Sequence, residues 1–250
     1  MLKLTLGSVA GLFLILLAGP AAMALSGRID LSARWSQASR EVVGIAPPAA
    51  ATQEAIVQVY GARTFNWRGA FAIHTWIAVK PEGADSYTVH EVIGWRAMRG
   101  GSALATAERA PDRQWYGQDP RILTDIRGAG AAALIPEIEA AVESYPWPDR
   151  YEAWPGPNSN TFIAHIGREV PGLRLDLPST AVGKDYLGPW KIFARSPSGT
   201  GYQLSFRGYL GLTVGIEEGL KLTVLGLTLG IDPLDLTVDL PGVGRVGLSS

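Results

Sequence analysis

The sequence predicts an α+β fold, a core of antiparallel strands and packed helices followed by a C-terminal β meander. Three apolar, β-branched runs lie between Ala55 and Trp95, and two segments with apolar residues at helical spacing follow between Gly128 and Val170. Beyond Gly201 the composition turns to Gly, Leu, Val and Thr, with apolar and small or polar residues in alternation.

The N-terminus comes first. Leu4 to Gly27 carry no charge, Lys3 precedes them, Leu12 to Leu17 form an apolar run, and Ala22-Met23-Ala24 is a small-x-small cleavage site. Residues 1–27 therefore read as an export segment, either a cleaved signal peptide or a retained anchor, since a bilayer needs only about 20 apolar residues. Gly7, Gly11, Gly19 and Pro20 make it a poor helix by propensity. In either case the body of the protein is expected outside the cytoplasm, and the N-terminal segment is the expected contact with the membrane.

Residues 28–53 read as a linker, because "APPAAATQ" at Ala46 to Gln53 is rich in Ala and Pro and lacks periodicity. The α+β core is expected over 54–200. Its strands are Ala55 to Tyr60, Phe71 to Val79 and Tyr87 to Trp95, the last two forming a hairpin about Pro-Glu-Gly-Ala-Asp. Ala97 to Arg121 is polar, rich in Gly and Arg, and long for a connection; it is either a lid or a plain surface loop.

Leu134, Ile135, Ile138 and Val142 predict a helix from Gly128 to Tyr145, with Pro136 as a kink or a second start. Phe162, Ile163, Ile166 and Val170 predict another from Ser159 to Glu169, ended by Pro171-Gly172 and capped by Asn158 or Ser159.

The extension, 201–250, carries a near-repeat, "LGLTVGI" at Leu210 to Ile216 and "LGLTLGI" at Leu225 to Ile231. Two equivalent strands of a meander are expected, with Leu234, Leu236, Val238 and Leu240 on the buried face. A lipid-facing set of hairpins is the alternative, weakened by the charges at Glu217, Glu218, Lys221, Asp232, Asp235 and Asp239.

Composition narrows function. Lys plus Arg number 22 against 23 Asp plus Glu, a formal charge of −1, so net charge attracts neither a polynucleotide nor anionic lipid, and nucleic-acid partners are excluded. Zero cysteines exclude disulfides, thiolate metal sites and a cysteine nucleophile. Three histidines without short zinc-type spacings offer no metal site, and no cofactor is implied.

Chemistry concentrates at two places. Period two puts His74 and Trp76 on one strand face. A hairpin turning about Gly83 sets residue 76 opposite 90 and 74 opposite 92, which makes His74 and His90 diagonal neighbours. The other place is "WPGPNSNTF", Trp154 to Phe162. If the start of the helix carrying Ser159 packs over the histidine face, its hydroxyl lies where an imidazole takes its proton and backbone N–H groups stabilise an oxyanion. Trp76, Asn158 and Asn160 are then the expected substrate contacts. The structural alternatives are a hydrogen-bonded strand histidine and an ordinary helix cap. His165, one turn beyond Phe162, is expected to be structural.

The motifs "FAIHTWIAVK", "GWR", "WPGPNSNTF", "LPSTAVGKDYL", "SGTGYQLS", "LGLTVGIEEG" and "GIDPLDL" resemble a family of bacterial membrane-associated proteins known only as a domain of unknown function. The resemblance covers about residues 50–247 and implies an envelope protein, periplasmic or anchored at the inner membrane, without an activity. The chain is also similar to the circularly permuted papain-like group that includes lecithin retinol acyltransferase. There a strand histidine comes first, a polar residue on the next strand second, and Asn-Cys-x-x-Phe at a helix start last. His74, His90 and Asn158-Ser159-Asn160-Thr161-Phe162 match in that order, with Ser159 in place of the thiol. This implies a hydrolase or acyltransferase acting on an ester or amide of an envelope lipid or peptide, with Ser159 as nucleophile, His74 as base and His90 orienting it. The alternative is a non-catalytic binding or scaffold protein that keeps the fold.

Overall fold

The computed structural model describes residues 2–31 and 34–247. Met1, residues 32–33 and residues 248–250, parts of the expected export segment, linker and extension, lie outside the described residues.

Helix α1, Leu2–Leu25, forms in spite of its glycines and Pro20. Leu16 and Met23 are buried, and the turn at Pro241 to Val243 lies against Gly19, where a Cβ would stand 2.0 Å from the Pro241 carbonyl oxygen. Among the described residues no helix is long and apolar enough to cross a membrane.

The first sheet holds β1 (Ile56–Arg63), β2 (Ile73–Lys80), β3 (Thr88–Val92), β4 (Leu104–Glu108) and β5 (Arg121–Arg127). All neighbours are antiparallel in the order β4-β3-β2-β1-β5. A short helix α2 (Gly94–Met98) links β3 to β4, and α3 (Ala129–Glu143) and α4 (Ser159–Glu169) follow. Pro136 lies inside α3 without dividing it.

Both faces of this sheet are covered. Val57, Val59, Ile73, Ile77 and Val79 pack under Ile138 of α3 and Phe162, Ile163 and Ile166 of α4. The opposite face presents Ile56, Tyr60, Trp76, Ala78 and Val89, with Tyr60 stacked on Trp76 at 5.6 Å. The expected linker lies against this side rather than hanging free. Asp112 accepts from the amides of Gly44, Ile45 and Ala46, and Tyr87 donates to the Pro47 carbonyl.

The β2–β3 register differs by one residue from expectation, with Trp76 opposite Glu91 and Ile77 opposite His90. In this register Tyr87, just before β3, is buried and donates to the Pro47 carbonyl. A slip of one residue moves every side chain to the other face. His90 therefore lies on the helix side of the sheet and Glu91 takes the face of His74.

The second sheet is the meander, starting slightly earlier than expected: β6 (Phe193–Arg195), β7 (Gly201–Phe206), β8 (Leu210–Gly215), β9 (Gly219–Val224), β10 (Leu227–Asp232), β11 (Thr237–Leu240) and β12 (Gly244–Gly247). Its strands neighbour one another in chain order, and the near-repeat forms the equivalent strands β8 and β10 on either side of β9.

The buried face is the polar one. Gln203, Thr213, Lys221, Thr223, Thr228 and Asp239 point inward, whereas Leu204, Leu212, Val214, Leu222 and Val238 are exposed. Leu236, expected to be buried, is 65% exposed in the β10–β11 turn at φ 53°. Alternation was present, but the face was reversed, because the segment beneath the sheet is itself polar. Lys184 Nζ donates to both Asp185 oxygens at 2.8 and 2.7 Å, Thr223 adds a bond to Asp185, and Lys221 meets Asp176 and Asp239. Arg168 of α4 reaches Gln203 at 2.7 Å, so ion pairs and hydrogen bonds join the two layers.

Candidate functional site

The start of α4 is built around its cap. Asn158 Oδ1 accepts from the amides of Asn160 and Thr161, and the Thr161 hydroxyl accepts from the Asn158 amide, a capping box. Asn158 Nδ2 donates to the Ala153 and Val182 carbonyls. Gly183, at φ +102°, allows this approach, since a Cβ there would lie 2.2 Å from Asn158 Nδ2. Asn160 Nδ2 donates to the Ile73 and Val182 carbonyls while its oxygen accepts from Thr75. Both asparagines thus hold α4 against β2, with their polar groups engaged. Among the described residues the Ser159 hydroxyl makes no hydrogen bond, and it faces a cavity.

That cavity has a volume of about 490 Å³. Its walls are mainly apolar and aromatic, with Phe65, Trp67, Phe71, Trp115, Tyr151 and Trp154 prominent, and the β9–β10 turn at Leu225 to Leu227 closes one side. Ser159 and His74 both line it. They come from opposite faces of β2 and meet the cavity around the start of that strand, where β3 no longer pairs with it. Among the described residues no hydrogen bond joins them.

His74 is 3% exposed and its ring stacks on Trp115 with centroids 3.5 Å apart and planes 7° from parallel. Nε2 lies 3.2 Å from Glu91 Oε2, and Arg109 holds Glu91 Oε1 at 2.6 Å. Burial lowers the His74 pKa, with Glu91 opposing, so the imidazole is neutral near pH 7. Burial pushes the Glu91 carboxyl up, but the hydrogen bond from His74 and the charge and hydrogen bond of Arg109 outweigh it and hold it below the usual range. The arrangement is a neutral imidazole beside a carboxylate paired with Arg109. With Nε2–H directed at Glu91, Nδ1 carries the lone pair and is the nitrogen able to accept a proton.

The other expected residues fall outside this constellation. His90 bonds Thr106 Oγ1 at 2.9 Å through Nδ1, its buried Nε2 has no hydrogen-bond partner among the described residues, and burial lowers its pKa to about 4. His165 bonds the Ala141 carbonyl at 3.0 Å. Trp76 donates to the Pro111 carbonyl at 2.7 Å and lines a smaller cavity of about 110 Å³ beyond Trp115.

Sequence reasoning missed Glu91, Arg109 and Trp115. The signal for Glu91 was the alternative hairpin register, one residue from the one chosen. Arg109 and Trp115 belong to the 97–121 segment, which supplies β4 and then covers His74.

A family model described as "Protein of unknown function (DUF3750)" matches residues 54–186, more than half of the chain. The chain belongs to that family. No curated protein and no solved structure matches it.

Proposed function

We propose that this member of the DUF3750 family is a hydrolase or acyltransferase of the bacterial envelope, acting on an ester or amide that carries an apolar acyl group. The observation that carries the reading is that Ser159, at the N-terminus of α4, and His74, backed by Glu91 and Arg109, line the same apolar cavity. Its walls suit an acyl chain better than a polar peptide. The order of strand histidine first and helix-start nucleophile later agrees with a permuted papain-like arrangement. The uncharged run from Leu4 to Gly27 is the ground for assigning the body to the outside of the cytoplasm.

In this reading Ser159 Oγ attacks the carbonyl carbon as its proton passes to His74 Nδ1, directly or through one water. The Ser159 amide and the α4 N-terminus stabilise the oxyanion. Collapse of that intermediate breaks the bond to the alcohol or amine, which takes the proton from His74. Water or a second alcohol or amine then releases the acyl group, with His74 again as the base. Glu91 holds the ring in its tautomer and Arg109 keeps Glu91 ionised.

A second reading is a non-catalytic acyl-binding protein, favoured by the absence of a hydrogen bond between Ser159 and His74. A serine-reactive fluorophosphonate separates the two. Labelling at Ser159 that His74→Ala abolishes, with circular dichroism unchanged, supports the enzyme; labelling indifferent to His74→Ala, or none, supports the binder.

A further inference from the structure

The outer face of the second sheet is the largest feature the proposed chemistry leaves unused. From β7 to β11 it carries Leu204, Leu212, Val214, Leu222, Ile231 and Val238, each 38–52% exposed, while Glu218, Lys221, Asp232 and Asp239 turn inward. Together with Tyr202, Phe206 and Leu210 this exposes on the order of 1,000 Å² of apolar surface, against a few hundred for the largest patch of an ordinary soluble monomer. Among the described residues no acidic side chain lies on the outward face of β7 to β11.

We infer that this face is a docking surface for an anionic lipid bilayer. Two observations choose the bilayer over a second copy of the chain. The apolar surface is not confined to the sheet: α1 packs beside β10 and the β11–β12 turn, and Phe13, Leu14 and Ile15 of that helix are exposed as well. The opposite edge has the composition of a membrane interface. Trp190 is 83% exposed under the Arg207 guanidinium at 5.3 Å, Lys191 follows it, and Arg195 on β6 shares the outward face of Phe193 and Tyr202. Aromatic rings and cations at the rim of an apolar face match headgroups and the negative charge of anionic lipid. β9 and β10 run from this face to the turn at Leu225 to Leu227 that walls the cavity, so a docked sheet brings the cavity to the lipid. The docking itself does not depend on the chemistry of Ser159.

The chain has no cysteine, so a single introduced thiol reports one position. Full-length Leu212→Cys and Leu222→Cys, on adjacent strands, are labelled with an environment-sensitive fluorophore, with Glu139→Cys on α3 as the control. Each is mixed with phosphatidylcholine vesicles with and without phosphatidylglycerol, containing doxyl-labelled lipid as quencher. Docking predicts a blue shift and quenching at 212 and 222 but not at 139. Replacing Lys191, Arg195 and Arg207 together by Glu should weaken binding to the anionic vesicles about tenfold or more. Vesicle binding through α1 with both sheet labels unquenched overturns the inference. So does a blue shift without vesicles accompanied by a doubled mass, which assigns the face to a second copy.

Discussion

Removing the Asp185 carboxylate tests the reversed sheet at its most sensitive point. Asp185 is 3% exposed and accepts from Lys184, Gln203 and Thr223, while Lys184 is 4% exposed. Asp185→Ala leaves that ammonium buried without its counter-charge, a loss of about 3–5 kcal/mol. Burial already lowers the Lys184 pKa and Asp185 opposes that shift. Without Asp185 the folded-state pKa falls further below the unfolded value, so the penalty is full at low pH, persists at neutral pH and shrinks as pH rises toward the unfolded value. Urea unfolding followed by tryptophan fluorescence at pH 7 and 9.5 should show the loss and its partial recovery. The double variant Lys184→Met/Asp185→Leu should regain most of it, since no charge is then stranded. Leu222→Ala, at a side chain on the outward face, should cost about 1 kcal/mol or less. A loss below about 1 kcal/mol for Asp185→Ala with more than about 2 for Leu222→Ala would show that the sheet buries its apolar face instead.

Other consequences concern the site and its supports. Asn158→Ala removes both cap bonds and two carbonyl contacts and should cost about 2 kcal/mol, read by thermal or urea unfolding; a cost within about 0.5 would deny the cap its role. His90, with its pKa lowered to about 4, resists protonation in the folded state, so its contribution is intact above about pH 6.5 and is lost as pH falls toward 4. That loss is at most about 3 kcal/mol, and His90→Gln should flatten the acid limb of stability against pH; identical limbs would contradict the buried assignment. Because burial lowers the His74 pKa, fluorophosphonate labelling should hold its plateau down through pH 6.5, and an acid limb at or above 6.5 would mean a solvent-exposed base.

How much could be read in advance depended on the range of the interactions. Helix α4 was legible to its ends because its cap, its apolar stripe and the Pro-Gly stop are all local. The strands of the first sheet were legible from their β-branched runs, but not the β2–β3 register, since a turn of several residues about Gly83 allows more than one pairing and local pattern does not choose between them. The meander shows the same limit. Alternation reports that two faces differ, yet which one turns inward is decided by Asp176, Lys184 and Asp185, outside those strands. At the cavity, His74 and Ser159 were singled out by residue type and local setting, whereas Glu91 needed the register and Trp115 needed the path of a long connection.

The central claim, that the cavity at the start of α4 can activate a nucleophile, is tested most directly by the thiol of Ser159→Cys. In this cysteine-free chain its pKa can be read from the pH dependence of alkylation by iodoacetamide. The helix N-terminus and His74 should bring it below the ordinary thiol value of about 8.5 and make alkylation near neutral pH about tenfold faster than for a small peptide. Adding His74→Ala should remove most of that gain. A thiol that titrates near 8.5 and reacts no faster than the peptide would contradict the account and leave an acyl-binding cavity without catalytic electrostatics.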